Sequence, residues 1–359
     1  MTRHWMNQTH VGDCRVLLEQ MAADGVQVQT CITSPPYFRL RDYGVASQIG
    51  LESTPAEYIA QLVRVFQWVR ELLSDDGTLW LVMGDSYAAR GTPGRSNLAG
   101  LGKRYAGGGH KQDTLRKPPK MLTDGIKSKD LYGIPWRVAL ALQADGWYLR
   151  ADIIEEVELY CPCGCGYVLE ERIWQWSQDR DLIWNKPNAV PESVRDRPTR
   201  AHEYLFLLSK SERYYYDAAA IRERVRSNPS DVRKMIEGLP RIGGKHKGLI
   251  DSYAAASSST NIGQKRSVGD GYWRNRRSVW TVATAPFRGA HFAAFPRALI
   301  EPCILAGSRP GDVVIDPFIG SSTTGQVAID LGRGYIGCEV NPAYRELENL
   351  RSTTLGMPL

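Results

Sequence analysis

The chain lacks any apolar run long enough to cross a bilayer. Its amino terminus, Met1-Thr2-Arg3-His4-Trp5, has no signal-peptide pattern. Both absences lead us to expect a cytoplasmic protein with no membrane partner. Cysteine is scarce and odd in number, seven in 359 residues. That argues against a disulfide framework and for a reducing compartment. A large charge excess is missing too: 45 basic against 39 acidic side chains leave a net +6. Such a balance permits a polyanionic partner without demanding one. What remains is 43% hydrophobic and 23% charged, the composition of a soluble globular protein able to bury one large α/β core or two ordinary ones.

Two stretches organise the chain. The first is Thr33-Ser34-Pro35-Pro36-Tyr37-Phe38, which follows the alternating Val26–Ile32 segment. Proline offers no backbone donor and fixes φ, so a strand cannot run through a proline pair. The expectation is a strand that stops abruptly and presents Ser34 and Tyr37 on a stiff, solvent-facing turn. A small hydroxyl beside an aromatic ring suits a flat, partly polar ligand such as a base rotated out of a duplex.

The second stretch is Val313-Val314-Ile315-Asp316-Pro317-Phe318-Ile319-Gly320-Ser321-Ser322-Thr323-Thr324, a β-branched strand entering a Gly/Ser turn and then a helix. A second strand, Tyr335–Glu339, ends in an acid about twenty residues on, the plan of a nucleotide-type site whose acid accepts from ribose hydroxyls. The turn lacks both G-x-G-x-x-G and G-K-[ST]. A ligand with ribose but no phosphate therefore fits better than a dinucleotide or a nucleoside triphosphate.

Between these anchors the rhythm is that of a parallel sheet with helical crossovers. Residues 8 to 20 read as a turn and short helix around Gly12-Asp13-Cys14. Apolar residues from Tyr58 to Leu73 recur at helical spacing, Ser74–Gly77 stops that helix, and Thr78–Met83 is a buried strand. Further helix is expected from Ile134 through Leu142, with strands at 147–154 and 205–208. Residues 155–180 look like an inserted β-hairpin, with 153–154 and 182–187 as two halves of one sheet edge. The hairpin tip carries Cys161, Cys163 and Cys165, the candidate ligands were a metal bound. A structural zinc site wants four ligands, usually from two separated pairs, so free thiols in a tight turn are the favoured reading.

Basic residues gather in three places. The flexible loop 90–129 holds Lys103, Arg104 and Lys111, and the region after Pro191 holds Arg195, Arg197 and Arg200. The irregular stretch 221–285 holds Lys245, Lys247, Arg274, Arg276 and Arg277 with aromatics interleaved. These, with Arg39 beside the first turn, are the expected contacts to double-stranded DNA. The organisation expected is a first half of the α/β domain at 1–89, the basic loop, the remainder of that half at 130–220, an irregular basic region at 221–285 and the half holding the second anchor at 286–359.

Asp316-Pro317-Phe318-x-Gly320-Ser321-x-Thr323-Thr324, taken with Thr33-Ser34-Pro35-Pro36-Tyr37, resembles the amino-group DNA methyltransferases that use S-adenosylmethionine. With the catalytic motif amino-terminal to the cofactor motif, the order is the permuted one of the β class. Gly12-Asp13-Cys14 resembles the family's adenine-side cofactor segment. His291–Pro296, with Phe295 and Pro296, resembles the motif that closes on the methionine end. Lys186-Pro187-Asn188 and His202-Glu203-Tyr204 resemble its central block.

The resemblance implies a Rossmann-like α/β methyltransferase fold with a mainly parallel sheet, a homodimer, and a cofactor site built from Asp13, Thr33, Phe295, Pro296, Asp316, Phe318, Gly320, Ser321, Ser322, Thr323, Thr324, Glu339 and Asn341. Ser322 departs from the glycine common there, which would tighten the turn.

The implied reaction needs no catalytic metal. An exocyclic amino nitrogen is a poor nucleophile because its lone pair is delocalised into the ring. Ser34, with Pro35 through its carbonyl, would accept the amino hydrogens, and Pro36 stiffens the turn. Tyr37, together with Phe38, would stack on the flipped base. Adenine N6 and cytosine N4 both remain open, as do an RNA substrate and an idle DNA-binding protein on the same fold. Methylation at cytosine C5 would need a cysteine nucleophile near the catalytic turn, and the Pro302-Cys303 pair reads instead as buried helix.

Overall fold

The computed structural model describes residues 2–88, 125–151, 159–160, 168–169, 183–185, 196–197, 202–224, 273–283 and 296–344. The chain divides into two compact units, Met1–Asp217 with Ser278–Leu359, and Ala218–Arg277.

The larger unit is built on one sheet. Its strands are β1 (Gln8–Val11), β2 (Val28–Thr33), β3 (Leu73–Met83), β4 (Tyr148–Ala151), β7 (Ile183–Asn185), β8 (His202–Ser209), β11 (Val279–Thr281), β12 (Val313–Asp316) and β13 (Gly334–Glu339). They lie in the order β1-β13-β12-β2-β3-β8-β7-β11, with β4 also paired to β8. The five strands from β1 to β3 are mutually parallel. β8 then runs antiparallel to β3. All six residues of β2 are buried, although three of them, Gln29, Thr30 and Thr33, are polar.

Among the described residues, five helices cover the sheet: α1 (Cys14–Ala23), α2 (Pro55–Leu72), α3 (Ile134–Ala144), α4 (Arg297–Gly307) and α5 (Thr323–Asp330). The strongest start signal belongs to α2. Thr54 accepts from the Glu57 backbone N–H, Glu57 reaches back to the Thr54 N–H, and Pro55 opens the first turn. Period-2 geometry then sorts β3. Leu79, Leu81 and Met83 join a core with Leu62, Phe66 and Val69 of α2 and with Leu18 and Met21 of α1. Trp80 turns to the other side, toward Tyr216 and Trp280. Full burial of each such apolar side chain contributes roughly 1.5–3 kcal/mol.

Two local expectations are corrected. Gln8–Val11 is not a turn but a strand, pairing Gln8 with Ile336 and Val11 with Glu339. The segment Ser74–Gly77 does end α2, yet it stays in β3 as an irregularity in the register against β2, where the Gln29 amide donates to the Asp76 carboxylate. By contrast, β4 and β7 do lie end to end along one side of β8, yet they are not a sheet edge, because β11 pairs along the other side of β7, and residues 153–154 lie outside the described residues. A short antiparallel pair, β5 (Leu159–Tyr160) with β6 (Val168–Leu169), fits the inserted hairpin. Its cysteine tip lies outside the described residues.

In the smaller unit, β9 (Glu223–Arg224) pairs with β10 (Trp273–Arg274). Among the described residues no helix is long and apolar enough to cross a membrane, and no cluster of His, Cys, Asp or Glu could hold a metal ion.

Candidate active site

Because β1, β13, β12, β2 and β3 are parallel, their carboxyl ends share one edge of the sheet. From β12 the chain crosses through α5 to β13 on one side, and from β2 it crosses through α2 to β3 on the other. The switch point therefore falls between β12 and β2, where open α/β sheets leave a crevice for ligands. The last residues of these two strands are Asp316 and Thr33, and they are bonded to each other: Thr33 Oγ1 donates to Asp316 Oδ1 at 2.6 Å.

Asp316 is the hub. It is 1% exposed and also accepts from Thr324 Oγ1 at 2.7 Å and from the Phe318 N–H at 3.0 Å. Burial pushes its carboxyl up to about 6 against these three donors. The turn beyond it bends through Gly320 and Ser322 with φ of 54° and 60°. Glycine takes that left-handed geometry freely, whereas serine there costs on the order of 1 kcal/mol. Ser322 opens α5 in this conformation, which accounts for the glycine that the resembling motif prefers there.

The neighbouring strand end supplies a second acid. The Glu339 Oε1 accepts from the Asn341 N–H at 2.8 Å. Burial raises this carboxyl to about 7, opposed by the backbone N–H groups of Asn341, Gly320 and Val340. The Gly12 N–H donates to the Glu339 carbonyl at 2.8 Å, which brings the β1–α1 corner to the same edge. There Asp13 caps α1 through the Arg15 N–H, and both its oxygens face the Arg15 guanidinium. Burial favours the neutral acid, but those Arg15 bonds outweigh it and hold Asp13 below the usual carboxylate range.

On the other side of the switch point, the proline pair turns as expected. Pro35 is buried while Ser34, Pro36 and Tyr37 are half-buried. The Tyr58 hydroxyl donates to the Pro36 carbonyl at 2.8 Å. Tyr37 does not stand free in solvent: its hydroxyl donates to Glu203 Oε2 at 2.7 Å. Its ring lies so close to Gly84 that a Cβ there would sit 2.5 Å from Cε2. Burial and then the Glu203 charge push the phenol well above its ordinary value, so it stays protonated.

Phe38 corrects a further expectation. It is 3% exposed and packs against the rings of Tyr58 and Tyr132 at 5.5 and 5.4 Å, so it cannot stack on a base. The described cysteines Cys31, Cys303 and Cys338 are poorly suited to act as nucleophiles. Cys303 is buried in α4, and burial raises the Cys31 and Cys338 thiols well above their usual value.

A model of the N6/N4 methyltransferase family, described as DNA methylase, matches residues 28–162 and 164–349. The chain is 40% identical over 342 residues to the type II methyltransferase M.Cfr9I of Citrobacter freundii, covering 94% of this chain and 84% of that one. It is 41% identical over 344 residues to M.SmaI of Serratia marcescens, covering 95% and 89%. The chain is a DNA methylase of the N6/N4 family. Its fold is also that of a PvuII DNA methyltransferase, with a TM-score of 0.51 at 17% identity over 96% of this chain and 85% of that one.

The edge of the methylase sheet thus assembles Asp13, Thr33, Asp316, Phe318, Gly320, Ser321, Ser322, Thr323, Thr324, Glu339 and Asn341 beside Ser34–Tyr37. Pro296 is described at the start of α4. Phe295 lies outside the described residues, as do Cys161, Cys163, Cys165, Lys103, Arg104, Lys111, Arg195, Arg200, Lys245 and Lys247.

The remaining basic residues are more engaged than their charge suggested. Arg39 donates to the Glu52 carbonyl at 3.2 Å, and the Arg197 guanidinium lies 3.8 Å over the Tyr87 ring. Within the smaller unit, Arg274 and Arg277 both donate from Nε to Glu223 Oε1, at 2.6 and 2.7 Å. Arg276 lies between them in sequence.

Sequence reasoning missed three residues that shape the turn: Glu203, Gly84 and Tyr58. Only the His202-Glu203-Tyr204 motif gave any signal for them.

Proposed function

We propose that this methylase methylates an exocyclic amino nitrogen, N6 of adenine or N4 of cytosine, on a base turned out of duplex DNA, within a specific recognition sequence. S-adenosylmethionine supplies the electrophilic methyl group when bound. The observation that carries the reading is the Thr33–Asp316 bond, which ties the Ser34–Tyr37 turn to the Gly320 turn across the switch point.

The residues present suit that cofactor. Glu339, at the end of β13, is placed to accept from ribose hydroxyls, and the Gly320 turn lets backbone approach a ligand without a phosphate. Asp13 serves the adenine side, and Phe295 with Pro296 the methionine end. Ser34 and the Pro35 carbonyl accept the amino hydrogens, which favours a pyramidal nitrogen with its lone pair available. Tyr37 stacks on the base, and with Phe38 buried it does so alone. That contact offsets part of an unstacking cost of a few kcal/mol.

Several finer assignments belong to the same reading. Residues 221–285 serve as the recognition region, and the remaining basic residues expected at DNA contact phosphate there and on loop 90–129. The protein works as a homodimer in the cytoplasm. Cofactor titration of Asp316→Asn and Glu339→Gln tests the cofactor assignments: unchanged affinity in both would refute them.

A further inference from the structure

We infer that Glu203 is a positioning residue for methyl transfer, acting through Tyr37 to fix the direction of the Ser34 hydroxyl. The inference rests on the reading of Ser34–Tyr37 as the turn that handles the amino group.

Three oxygens lie in a row. Ser34 Oγ is 3.5 Å from Tyr37 Oη, and Tyr37 Oη is 2.7 Å from Glu203 Oε2. An ionised carboxylate only accepts, so the Tyr37 hydrogen is committed to Glu203. The phenol oxygen is then left to accept, and the Ser34 hydrogen turns toward it. That leaves the Ser34 lone pairs for an amino hydrogen of the base. Without the carboxylate nothing fixes the order. Tyr37 could donate to Ser34, whose own hydrogen would then oppose the amino hydrogens, donor against donor. The Ser34–Tyr37 contact is the longer of the two, so the short bond to Glu203 sets the polarity of the row.

The surroundings are built around this contact. Glu203 comes from β8, the antiparallel neighbour of β3, where Met83 is paired with Tyr204. Gly84 follows directly. A Cβ at Gly84 would lie 2.5 Å from Tyr37 Cε2 and 3.3 Å from Glu203 Oε1, so the absent side chain is what lets ring and carboxylate meet. The turn itself is braced separately, by Tyr58 on the Pro36 carbonyl and by the Arg39 N–H on the Gly50 carbonyl at 2.6 Å. Loss of Glu203 should therefore reorient a hydroxyl without dismantling the turn.

The test is the single-turnover rate of methyl transfer to duplex DNA by full-length wild type, Ser34→Ala, Tyr37→Phe, Glu203→Ala, Glu203→Gln and the Tyr37→Phe/Glu203→Ala double variant. Dissociation constants for DNA and cofactor and melting temperatures are measured alongside. Tyr37→Phe and Glu203→Ala should each slow transfer about tenfold with both affinities unchanged, and the double variant should be no slower than either. Glu203→Gln, whose amide oxygen still accepts from Tyr37, should stay within about threefold of wild type.

Multiplicative effects in the double variant would overturn the inference. So would a Glu203→Gln as slow as Glu203→Ala, or a Glu203→Ala that melts early yet transfers at the wild-type rate. If Glu203→Ala does not fold, Tyr37→Phe and Glu203→Gln decide the matter: a tenfold loss in the first with near-wild-type transfer in the second supports the inference, and any other pattern overturns it. Ser34→Ala separates the two levels. Wild-type transfer by that variant contradicts the reading of the turn itself, whereas an inactive Ser34→Ala beside a fully active Glu203→Ala overturns only the role of Glu203.

Discussion

Lowering the pH should weaken binding of S-adenosylmethionine through Glu339, and the surroundings of that carboxyl set both the sign and the size. Burial raises it to about 7, against the backbone N–H groups of Asn341, Gly320 and Val340. A carboxylate accepts from two ribose hydroxyls. The neutral acid carries a hydrogen of its own and loses part of that capacity. The ligand's hydroxyls favour the ionised form, so affinity should rise with pH up to about 7 and level off above it. If only the ionised form binds well, about one-eleventh of the protein is competent one unit below the pKa and about ten-elevenths one unit above it. Binding at pH 6 should then be about tenfold weaker than at pH 8, or about 1.4 kcal/mol. Calorimetric titration at pH 6, 7 and 8 reads this directly. Glu339→Gln should bind more weakly at pH 8 and lose the slope around 7. Asp316, raised to about 6, would still bend both curves at the acid end. A flat wild-type profile, or an unaltered slope in Glu339→Gln, would refute the reasoning.

Other perturbations probe the same edge of the sheet. Asp316→Asn sets an NH2 against one of the donors that the carboxyl now satisfies, and chemical denaturation should show a loss of about 1–3 kcal/mol. Thr33→Val removes a donor that favours the ionised Asp316. Its cost, about 1 kcal/mol at pH 8, should shrink below pH 6, where Asp316 takes up a proton in wild type as well. A cost independent of pH would contradict that assignment. Gly84→Ala places a methyl group 2.5 Å from Tyr37 Cε2. Displacing the ring should cut single-turnover methyl transfer by about tenfold or more, a barrier increase of about 1.4 kcal/mol, while calorimetry shows cofactor affinity unchanged.

The parts legible in the sequence were those whose chemistry is written in consecutive residues. The Pro35-Pro36 pair announces a strand end, and the β-branched run before Asp316 announces another. The acid at Glu339 follows at the spacing of a crossover. β1 was hidden because four residues, Gln8–Val11, gain their strand character from β13, more than 300 residues later in the chain. Phe38 adjoins Tyr37 in sequence, yet it packs into the core beside Tyr58 and Tyr132. A string of letters does not say which side of a tight turn a ring will take. Gly84 reaches the turn from the end of β3, the parallel neighbour of β2, but Glu203 does so only because β8 pairs with β3, an antiparallel pairing that the parallel rhythm of the chain gives no reason to expect. Charge was legible, but its engagement was not: Glu223 takes both Arg274 and Arg277, so counting basic residues overstates what is at hand for phosphates.

The central claim is tested most directly by incubating the full-length protein with isotopically labelled S-adenosylmethionine and unmethylated genomic DNA, digesting to nucleosides and analysing them by mass spectrometry. Label in N4-methyl deoxycytidine or N6-methyl deoxyadenosine, absent with Ser34→Ala, is the predicted result and identifies the target base at once. Label at cytosine C5, label appearing only when RNA replaces DNA, or no transfer at all would contradict the account.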